Sequence, residues 1–505
     1  MNTLRLHPND PIVVALRDLA SGDDLGAEDA VARQPIPSGH KVAVRAIAQG
    51  ESILKFGQVI GLASRPILPG EHVHTHNLSF IPSAASHAMS TARHMVTGLP
   101  QVQADTFMGI VRADGQVGTR NYIGVLTTVN CSATVARLIA DQFRPEAGLA
   151  GFPNVDGVVA LTTKGGCASS ETGEAISVLR RTLAGYARHP NFAAVLLVGL
   201  GCENNQIGGL LAEHNLAPGE RLQAFSIQEA GGTQAAVRRG VDLIREMLPR
   251  ADAVSRQPVP VSQLKLGLEC GGSDGFSAIS ANPALGIASD ILVQHGGTSI
   301  LSETPEIYGA ENLLLSRAAS PAVGQKLLDL LAWWEAYAAH NHETLDSNPA
   351  PGNKAGGLTT ILEKSLGAAS KGGCSDLMEV YRYAEPVRQS GLVFMDTPGF
   401  DPVSVTGQVA GGATIVGFTT GRGSCFGCKP APSLKLATNT PLFERMRDDM
   451  DLNCGEIVDG TATLEEMGAR IYQLLLETVS GRKTKSELLG YGDDEFAPWD
   501  LGATL

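Results

Sequence analysis

The chain has 505 residues, a formal net charge of −13, 43% hydrophobic residues and eight cysteines. Its length suggests about three domains of roughly 150 residues each, and its acidic, interspersed charge disfavours nucleic acid, because phosphate binding requires a basic face. We expect a cytoplasmic protein with free thiols, since no apolar run reaches the roughly 18 residues of a membrane span, no secretory signal is visible, and the cysteines are too sparse for a disulfide scaffold.

Residues 1–78 are predicted to form a small β-rich module. The short apolar runs IVVAL, KVAVRAI and ILKFGQVIGLA alternate with glycine and proline turns. His40 lies at a turn into a strand, and His72, His74 and His76 occupy alternate positions. Period two predicts these three histidines on one strand face, where two of them can share a metal ion. The alternative is a surface strand with solvated histidines.

Residues 79–107 are predicted to be a linker, and residues 108–255 a first α/β unit. In this unit the runs YIGVLTTVNC, GVVALTTKGGC and AAVLLVGLGCEN each precede a helical pattern. This alternation predicts a parallel sheet covered by helices. The three runs end at Cys131, Cys167 and Cys202.

Residues 256–505 are predicted to be a second α/β unit with strands LKLGLEC, TSILSE, GLVFMD and ATIVGFTT. The first strand ends at Cys270, and a glycine turn then presents Ser273 and Asp274 where a helix could begin. This pattern places side chains at the carboxyl ends of parallel strands. The predicted fold is therefore α/β, a small N-terminal β module followed by two α/β units with largely parallel sheets.

The recurring strand-end cysteines are candidate functional groups. A thiol facing a helix N-terminus has a lowered pKa and can act as a nucleophile, a metal ligand or a cluster ligand. Alternatively, cysteine is a small apolar residue that fills a tight turn. Cys425 and Cys428 form a lone CxxC without a second pair at zinc spacing.

Carboxylates also follow apolar runs, where a parallel sheet opens its crevice. They are Glu203, Glu269, Asp274 and Glu303. Partial desolvation there suits acid–base work, with helix capping as the alternative for Asp274. Asp396 and Asp401, in MDTPGFDPVS, are interpreted as turn formers.

Two cations lie in glycine-rich loops and predict a small anionic substrate. Lys354 lies in NPAPGNKAGGL, and Arg422 lies between two glycines directly after a strand. Glycine lets the backbone approach a ligand while the guanidinium binds a carboxylate bidentately; the alternative is a surface arginine in a turn. No glycine loop is a Walker A motif or a GxGxxG after the first strand, so nucleotide binding is disfavoured.

The motifs GHK (39–41), GEHVHTHN (70–77), VGLGCENNQ (198–206), LGLECGGSDG (266–275), NPAPGNKAGGLTT (348–360) and TTGRG (419–423) together resemble the altronate/galactarate dehydratase family. HVHTHN, GLGCENN and GNKAGG look closer to the altronate dehydratases. The resemblance covers nearly the whole chain and implies an N-terminal SAF domain of β-clip fold. It also implies a hydro-lyase that converts a sugar acid into a 2-keto-3-deoxy acid with Fe²⁺ or Mn²⁺.

The resemblance leaves the substrate open. The segment after the GRG motif, Ser424–Lys429, departs from the altronate dehydratase pattern. Galactarate or another aldarate is the alternative substrate, and the related sulfolactate sulfo-lyases eliminate sulfite instead of water. A homo-oligomer is a further expectation; no nucleic acid or membrane partner is expected.

Dehydration of a sugar acid requires a base, an acid and stabilisation of an enolate. We predict His40 as the acid, Asp274 or Glu303 as base or metal ligand, and Lys354 as base or carboxylate anchor. Arg422 is predicted to bind the substrate carboxylate, with Asn353 and Ser273 beside it.

Two ligand sets are predicted for the ion. His72 and His74 suit mononuclear Fe²⁺ or Mn²⁺, because they are neutral imidazoles two residues apart on a strand. The rival set is thiolate and would hold an iron–sulfur cluster. It consists of Cys131, Cys167, Cys202 and Cys270.

Overall fold

The computed structural model describes residues 2–82, 104–144, 148–167 and 172–501. Most of the predicted linker, residues 83–103, lies outside the described residues. At its two ends, strands extend into the predicted linker, one ending at Ser79 and one beginning at Thr106. None of the helices in the described ranges is long and apolar enough to cross a membrane.

The N-terminal part, residues 2–82, consists of short strands. They are β1 Thr3–Leu4, β2 Ile12–Ala15, β3 Lys41–Ala43, β4 Ser52–Lys55, β5 Gln58–Ala63, β6 His72–Val73 and β7 Leu78–Ser79. They form two antiparallel sheets, β1-β2-β3-β6 and β4-β5-β7. Buried Ile12, Ile53 and Val73 share one apolar core with Leu366 and Ala369. This core fixes the module against the C-terminal part of the chain.

The prediction that three histidines share one strand face is wrong. Strand β6 ends at Val73, and the chain turns at once, with the His74 amide donating to Asn77 Oδ1 at 2.9 Å. A polar side chain that accepts a backbone N–H two or three residues away stabilises a turn at the expense of a longer strand. The turn nevertheless keeps the rings close together, as described below.

The second part of the chain contains the first parallel sheet. Its strands and helices are β8 Thr106–Val111, β9 Val117–Gly118, β10 Tyr122–Thr127, α1 Ala133–Ala140, β11 Gly157–Leu161, α2 Glu174–Arg188, β12 Phe192–Gly199, α3 Ile207–Glu213, β13 Leu222–Ser226, α4 Thr233–Asp252 and β14 Gln257–Pro260. The parallel order is β11-β10-β12-β13, and β14-β8-β9 form a small antiparallel sheet. The near-continuous apolar runs of β10 and β12 are buried on both faces, as a helix-covered parallel sheet requires.

The C-terminal part is built on a seven-stranded parallel sheet in the order β17-β18-β16-β15-β19-β20-β21. The strands are β15 Lys265–Cys270, β16 Thr298–Leu301, β17 Leu377–Tyr381, β18 Gly391–Met395, β19 Ile415–Thr420, β20 Ser433–Ala437 and β21 Leu452–Asn453. The helices are α5 Ala281–Gln294, α6 Asn312–Leu315, α7 Pro321–His340, α8 Pro351–Ala355, α9 Ile361–Ser370, α10 Asp401–Ala410, α11 Thr440–Arg445, α12 Leu464–Val479 and α13 Lys485–Leu488. The predicted α/β fold class is confirmed.

Strand order identifies where a ligand is expected. From β15 the chain builds one side of the sheet through β16 and β18, then crosses to β19 on the other side of β15. In open α/β sheets, ligands bind outside the carboxyl ends of the strands at this reversal of order. The segments that follow β15 and β19 are therefore expected to border a ligand-binding site.

The two parallel sheets meet at their amino edges. Thr119 Oγ1 donates to the Thr414 carbonyl at 2.7 Å, and His189 Nε2 donates to the Ala413 carbonyl at 2.9 Å. Thr119 precedes β10, and both carbonyls precede β19. These contacts place the start of β19 beside the starts of β10 and β12.

Candidate active site

The turns after β15 and β19 form the floor of a crevice. The Arg422 amide donates to the Gly272 carbonyl at 2.8 Å. Asn353 Nδ2 donates to the Ser273 carbonyl at 2.8 Å, which ties helix α8 to the same turn. Gly356 permits the closest approach, because a Cβ atom there would lie 3.0 Å from Asp274 Cβ and 3.1 Å from Arg422 Cδ. Three distant segments thus converge at the reversal point of the sheet.

The N-terminal module adds three histidines to this crevice. The rings of His40, His72 and His74 have centroids 5.0 to 5.2 Å apart. His40 Nε2 lies 3.2 Å from the Ala355 carbonyl, and His74 Nε2 lies 2.8 Å from the Lys354 carbonyl. A carbonyl only accepts, so both Nε2 atoms are donors. The histidines therefore hold the end of α8, which carries Lys354.

His40 and His72 form the pair suited to an ion. His40 uses Nε2 as donor, so its Nδ1 carries a lone pair and accepts a hydrogen bond from His72 Nε2 at 2.9 Å; an ion between the two rings would replace this proton, with His72 in its other tautomer. Burial lowers the pKa of His40 to about 4, and burial with the neighbouring histidines lowers the pKa of His72 to about 3. Two neutral imidazole nitrogens that converge in this way suit Fe²⁺ or Mn²⁺.

This geometry changes two of the predicted histidine roles. Both ring nitrogens of His74 already have partners, Thr75 Oγ1 at 3.0 Å and the Lys354 carbonyl, so His74 positions the loop and His40 takes its place beside His72. A His40 ring with a pKa of about 4 is neutral at neutral pH. It therefore lacks the extra proton that the predicted acid would deliver.

Two cations border the histidine cluster. Lys354 is half-buried and Arg422 is exposed. Among the described residues, no carboxylate forms an ion pair with either of them. Both charges can therefore interact with a bound anion, which agrees with the predicted anionic substrate.

Asp274 is a buried carboxylate whose oxygens are already occupied. Oδ1 accepts hydrogen bonds from the Phe276 and Ser277 amides and from the Ser277 and Thr438 hydroxyls, and Oδ2 accepts one from Asn439 Nδ2, all at 2.9 to 3.1 Å. Burial raises the pKa of Asp274, which these hydrogen bonds oppose. Helix α5 begins only at Ala281, so Asp274 shapes the turn rather than capping that helix. Few lone pairs remain for the predicted base or ligand role.

A buried acidic cluster lies behind the crevice. Its members are Glu269, Cys270, Glu303, Glu306, Lys364, Lys371 and Asp401. Glu303 is fully buried, and Lys371 Nζ donates to its Oε2 at 2.7 Å and to Cys270 Sγ at 2.9 Å. Burial raises the pKa of Cys270 well above its ordinary value, so this thiol stays protonated. Among the described residues, the polar contacts of Glu303 and Cys270 are made within this cluster and in the turn at Thr397, not with the histidines.

The acidic cluster offers a second donor set, because ligand atoms of Glu269, Glu303 and Asp401 lie within 4.8 Å of one another. Oε1 atoms of Glu269 and Glu303 have no hydrogen-bond partner. However, Lys371 already neutralises Glu303, and a cation there would have to displace or repel that ammonium. The neutral histidine pair faces no such competitor.

Asp401 is a candidate acid–base group, to which the sequence analysis gave only a turn-forming role. A Cβ atom on Gly271 would lie 2.1 Å from Asp401 Oδ2, so the carboxyl group borders the turn after β15. Burial, together with the charges of Glu303 and Glu306, raises the pKa of Asp401 to about 7. A carboxyl group with this pKa can exchange a proton at neutral pH. The position of Asp401 after a strand-end turn was the feature of the sequence that could have indicated such a role.

A fully buried ion triad holds the histidine module in place. Glu363 accepts from Lys41 Nζ at 2.8 Å and from Lys55 Nζ at 2.8 Å, and Lys41 Nζ also donates to the Gly357 carbonyl at 2.6 Å. Lys41 is the last residue of the GHK motif, so its neighbour His40 is fixed by the same contact. Glu363 and Lys55 were not predicted from the sequence to form part of an ion triad.

The remaining strand-end thiols lie elsewhere. Cys131, Cys167 and Cys202 are exposed and free at the carboxyl edge of the first parallel sheet. Cys270 is instead buried at the carboxyl edge of the second sheet, where Lys371 contacts its sulfur, whereas the other three thiols are exposed. Cys425 is exposed and Cys428 is buried.

Fold and site define a multidomain α/β enzyme whose N-terminal β module covers the carboxyl edge of a parallel sheet. Three family descriptions match the chain: "Altronate/galactarate dehydratase SAF domain" over residues 1–80, "D-galactarate dehydratase/Altronate hydrolase, second domain" over 109–252, and "D-galactarate/Altronate dehydratase, C-terminal" over 261–504. The chain belongs to the altronate/galactarate dehydratase family.

Curated relatives agree along the full chain. An altronate dehydratase of Bacillus subtilis (strain 168) is 36% identical over 99% of both chains, and one of Escherichia coli (strain K12) is 34% identical over 100% of both. A galactarate dehydratase (L-threo-forming) of E. coli is 36% identical over 95% of this chain and 93% of its own. The prediction of a sugar-acid dehydratase, a hydro-lyase, is confirmed at the level of the family.

Proposed function

We propose that this enzyme removes water from an aldonate of the altronate type, giving a 2-keto-3-deoxy acid, with the aid of Fe²⁺ or Mn²⁺. The altronate dehydratases that match the full chain support this substrate class. The observation that carries the proposal is the convergence of two neutral histidines and two cations without carboxylate partners on the crevice after β15 and β19. Such a site suits an anion whose charge increases during the reaction.

The substrate carboxylate is bound by the Arg422 guanidinium, and Lys354 faces the same anion from helix α8. Asp401 removes the α-proton in its carboxylate form. The Lys354 ammonium protonates the departing β-hydroxyl, so the proton and the hydroxyl leave as water, and the resulting enol becomes the 2-keto acid. His40 Nδ1 and His72 Nε2 would hold the ion, which supplies a Lewis acid that stabilises negative charge on the carboxylate oxygens.

A panel of sugar acids tests the substrate. The full-length enzyme is assayed anaerobically with added Fe²⁺ against altronate, other aldonates, galactarate and other aldarates, and 2-keto acid formation is followed. We expect the highest kcat/KM for altronate. A higher kcat/KM for galactarate, or sulfite release from sulfolactate with no 2-keto acid from any aldonate, would refute the proposal.

Replacing Arg422 with alanine is expected to raise KM for the sugar acid about 10- to 100-fold, because a charge-assisted hydrogen bond contributes roughly 1.5–3 kcal/mol. Arg422→Lys keeps the charge but not the fork of donors and should recover only part of this loss. Steady-state kinetics of both variants measure the effect. An unchanged KM in Arg422→Ala would remove Arg422 from the substrate site.

Replacing His72 with alanine is expected to weaken Fe²⁺ binding at least about 10- to 100-fold and to lower activity in parallel, since even outer-shell changes have effects of this size. Equilibrium dialysis against Fe²⁺ measures affinity independently of turnover. His76→Ala is the matched control, because the His76 ring lies 5.5 Å from that of His72 but outside the His40–His72 pair. Unchanged iron affinity in His72→Ala would favour the carboxylates of the acidic cluster.

A further inference from the structure

Three exposed thiols lie at the carboxyl edge of the first parallel sheet, and the proposed reaction assigns no role to them. Cys131 follows β10, Cys167 follows β11 and Cys202 follows β12, and these strands are neighbours in the parallel order β11-β10-β12. All three are free and exposed. The turn after β10 therefore begins between the other two, roughly one strand spacing of about 4.8 Å from each, and the turns after β11 and β12 begin about two spacings apart.

Hydrogen bonds hold the three turns against one another. The Asn130 amide donates to the Gly165 carbonyl at 3.2 Å, and the Asn205 amide donates to the Gly166 carbonyl at 3.1 Å. Asn205 Nδ2 also reaches the Thr128 carbonyl at 2.9 Å. Each of these residues is within three positions of one of the cysteines. The thiols are thus presented by a fixed cluster of turns rather than by independent loops.

Two further features preserve this arrangement. Gly166 has φ +97°, and a Cβ atom there would lie 2.2 Å from the Thr128 carbonyl oxygen, so only glycine lets the turns approach so closely. Glu203 is buried and accepts from Thr128 Oγ1 at 2.6 Å and from the Gly201 amide at 2.6 Å. The Glu203 carboxylate therefore stabilises the third turn. The exposed thiols remain as the possible metal ligands of these turns.

The spacing of the sulfur atoms favours a cluster over a single ion. Three thiolates around one zinc-sized ion lie about 3.8 Å apart, given Zn–S bonds of about 2.3 Å. Within the described residues, the three-residue donor groups whose ligand atoms lie within 4.8 Å of one another are Cys270 with Glu303 and Glu306, and Glu269 with Glu303 and Asp401. The three exposed thiols do not form such a group, so at least one pair of their sulfur atoms lies more than 4.8 Å apart, too far for one zinc-sized ion. Ligands of different metal atoms of one cluster are spaced more widely than this.

We propose that Cys131, Cys167 and Cys202 hold a 4Fe–4S cluster, each thiol releasing its proton as its sulfur binds one iron. The fourth iron then lacks a protein thiolate and is open to water or to a hydroxyl oxygen of a small molecule. This site is built on the ends of β10, β11 and β12, whereas the His40–His72 pair lies between the N-terminal module and helix α8. It does not depend on the proposed dehydration of altronate.

Anaerobic reconstitution of the full chain with equal amounts of Fe²⁺ and Fe³⁺ and with sulfide supplies the two ferrous and two ferric irons of the cluster and tests the proposal. We expect about four irons and four acid-labile sulfides per chain, with the broad visible absorption of an iron–sulfur cluster. Cys131→Ser, Cys167→Ser and Cys202→Ser should each lose this absorption. Cys374→Ser is the matched control, because Cys374 is also exposed but lies after helix α9, and it should bind the cluster like the natural chain.

Alkylation provides a measurement that does not depend on variants. After reconstitution, Cys131, Cys167 and Cys202 should be protected from iodoacetamide, while Cys374 and Cys425 remain reactive. Binding of iron without sulfide, or equal cluster content in all the serine variants, would overturn the proposal. His72→Ala should retain the full cluster, so failure of the cluster with intact Fe²⁺-dependent dehydration would refute this inference alone.

Discussion

Replacing Asp401 with asparagine is expected to lower kcat/KM for the sugar acid about 10²- to 10⁴-fold, the usual contribution of a general base. The carboxyl group borders the turn after β15, and its pKa is raised to about 7 by burial and by the charges of Glu303 and Glu306. A base acts only when ionised. In the natural enzyme kcat/KM should therefore rise as pH increases through about 7 and level off above it.

The decisive measurement is the profile of kcat/KM against pH for both proteins. In Asp401→Asn, kcat/KM should be much lower and should no longer rise as pH increases through about 7. Asp396→Asn is the matched control, since Asp396 is also a buried aspartate but accepts hydrogen bonds from Thr304 Oγ1 at 2.6 Å and Trp334 Nε1 at 2.8 Å. Asp396→Asn should lower the free energy of unfolding, but its kcat/KM should still rise with pH near 7. An unaltered pH profile in Asp401→Asn would assign proton removal to another group.

The strand ends could be predicted from the sequence because the signal is local. In β12, β15 and β19 an apolar run ends at glycine, and parallel strands bring their carboxyl ends to one edge. This reasoning led to Ser273, Asp274 and Arg422, which the structure brings together. It could not show that the amino edges of the two sheets meet at Thr414, because that contact depends on how two domains pack.

For the site residues, too, local sequence patterns could be recognised, whereas contacts between distant segments could not. His40 and His72 carry a motif signal, but their pairing depends on the turn at His74–Asn77, where the Asn77 side chain ends the strand. Asp401 looked like a turn former, because its raised pKa comes from burial in the fold and from the charges of Glu303 and Glu306, about a hundred residues earlier in the chain. A charge environment assembled over such separations leaves no pattern in a single sequence.

Replacing Glu363 with glutamine is expected to lower the free energy of unfolding by about 3–5 kcal/mol, because two buried ammonium groups lose their counter-charge. Lys41, Lys55 and Glu363 are fully or almost fully buried, and both lysines contact the carboxylate at 2.8 Å. Urea unfolding at neutral pH measures the difference. Glu456→Gln is the matched control: Glu456 pairs with Arg470 at the surface, where an ion pair contributes about 0–1 kcal/mol.

The pH dependence separates this ion triad from simple packing. Burial alone would raise the pKa of Glu363, but the charges of Lys41 and Lys55 hold it well below its usual range. The stabilisation is therefore complete above the unfolded pKa of about 4.3 and is lost as pH falls from there toward the lower folded value. The stability gap between the natural enzyme and Glu363→Gln should shrink over that acidic range. A gap that stays constant with pH would mean that glutamine disrupts packing and that charge contributes little.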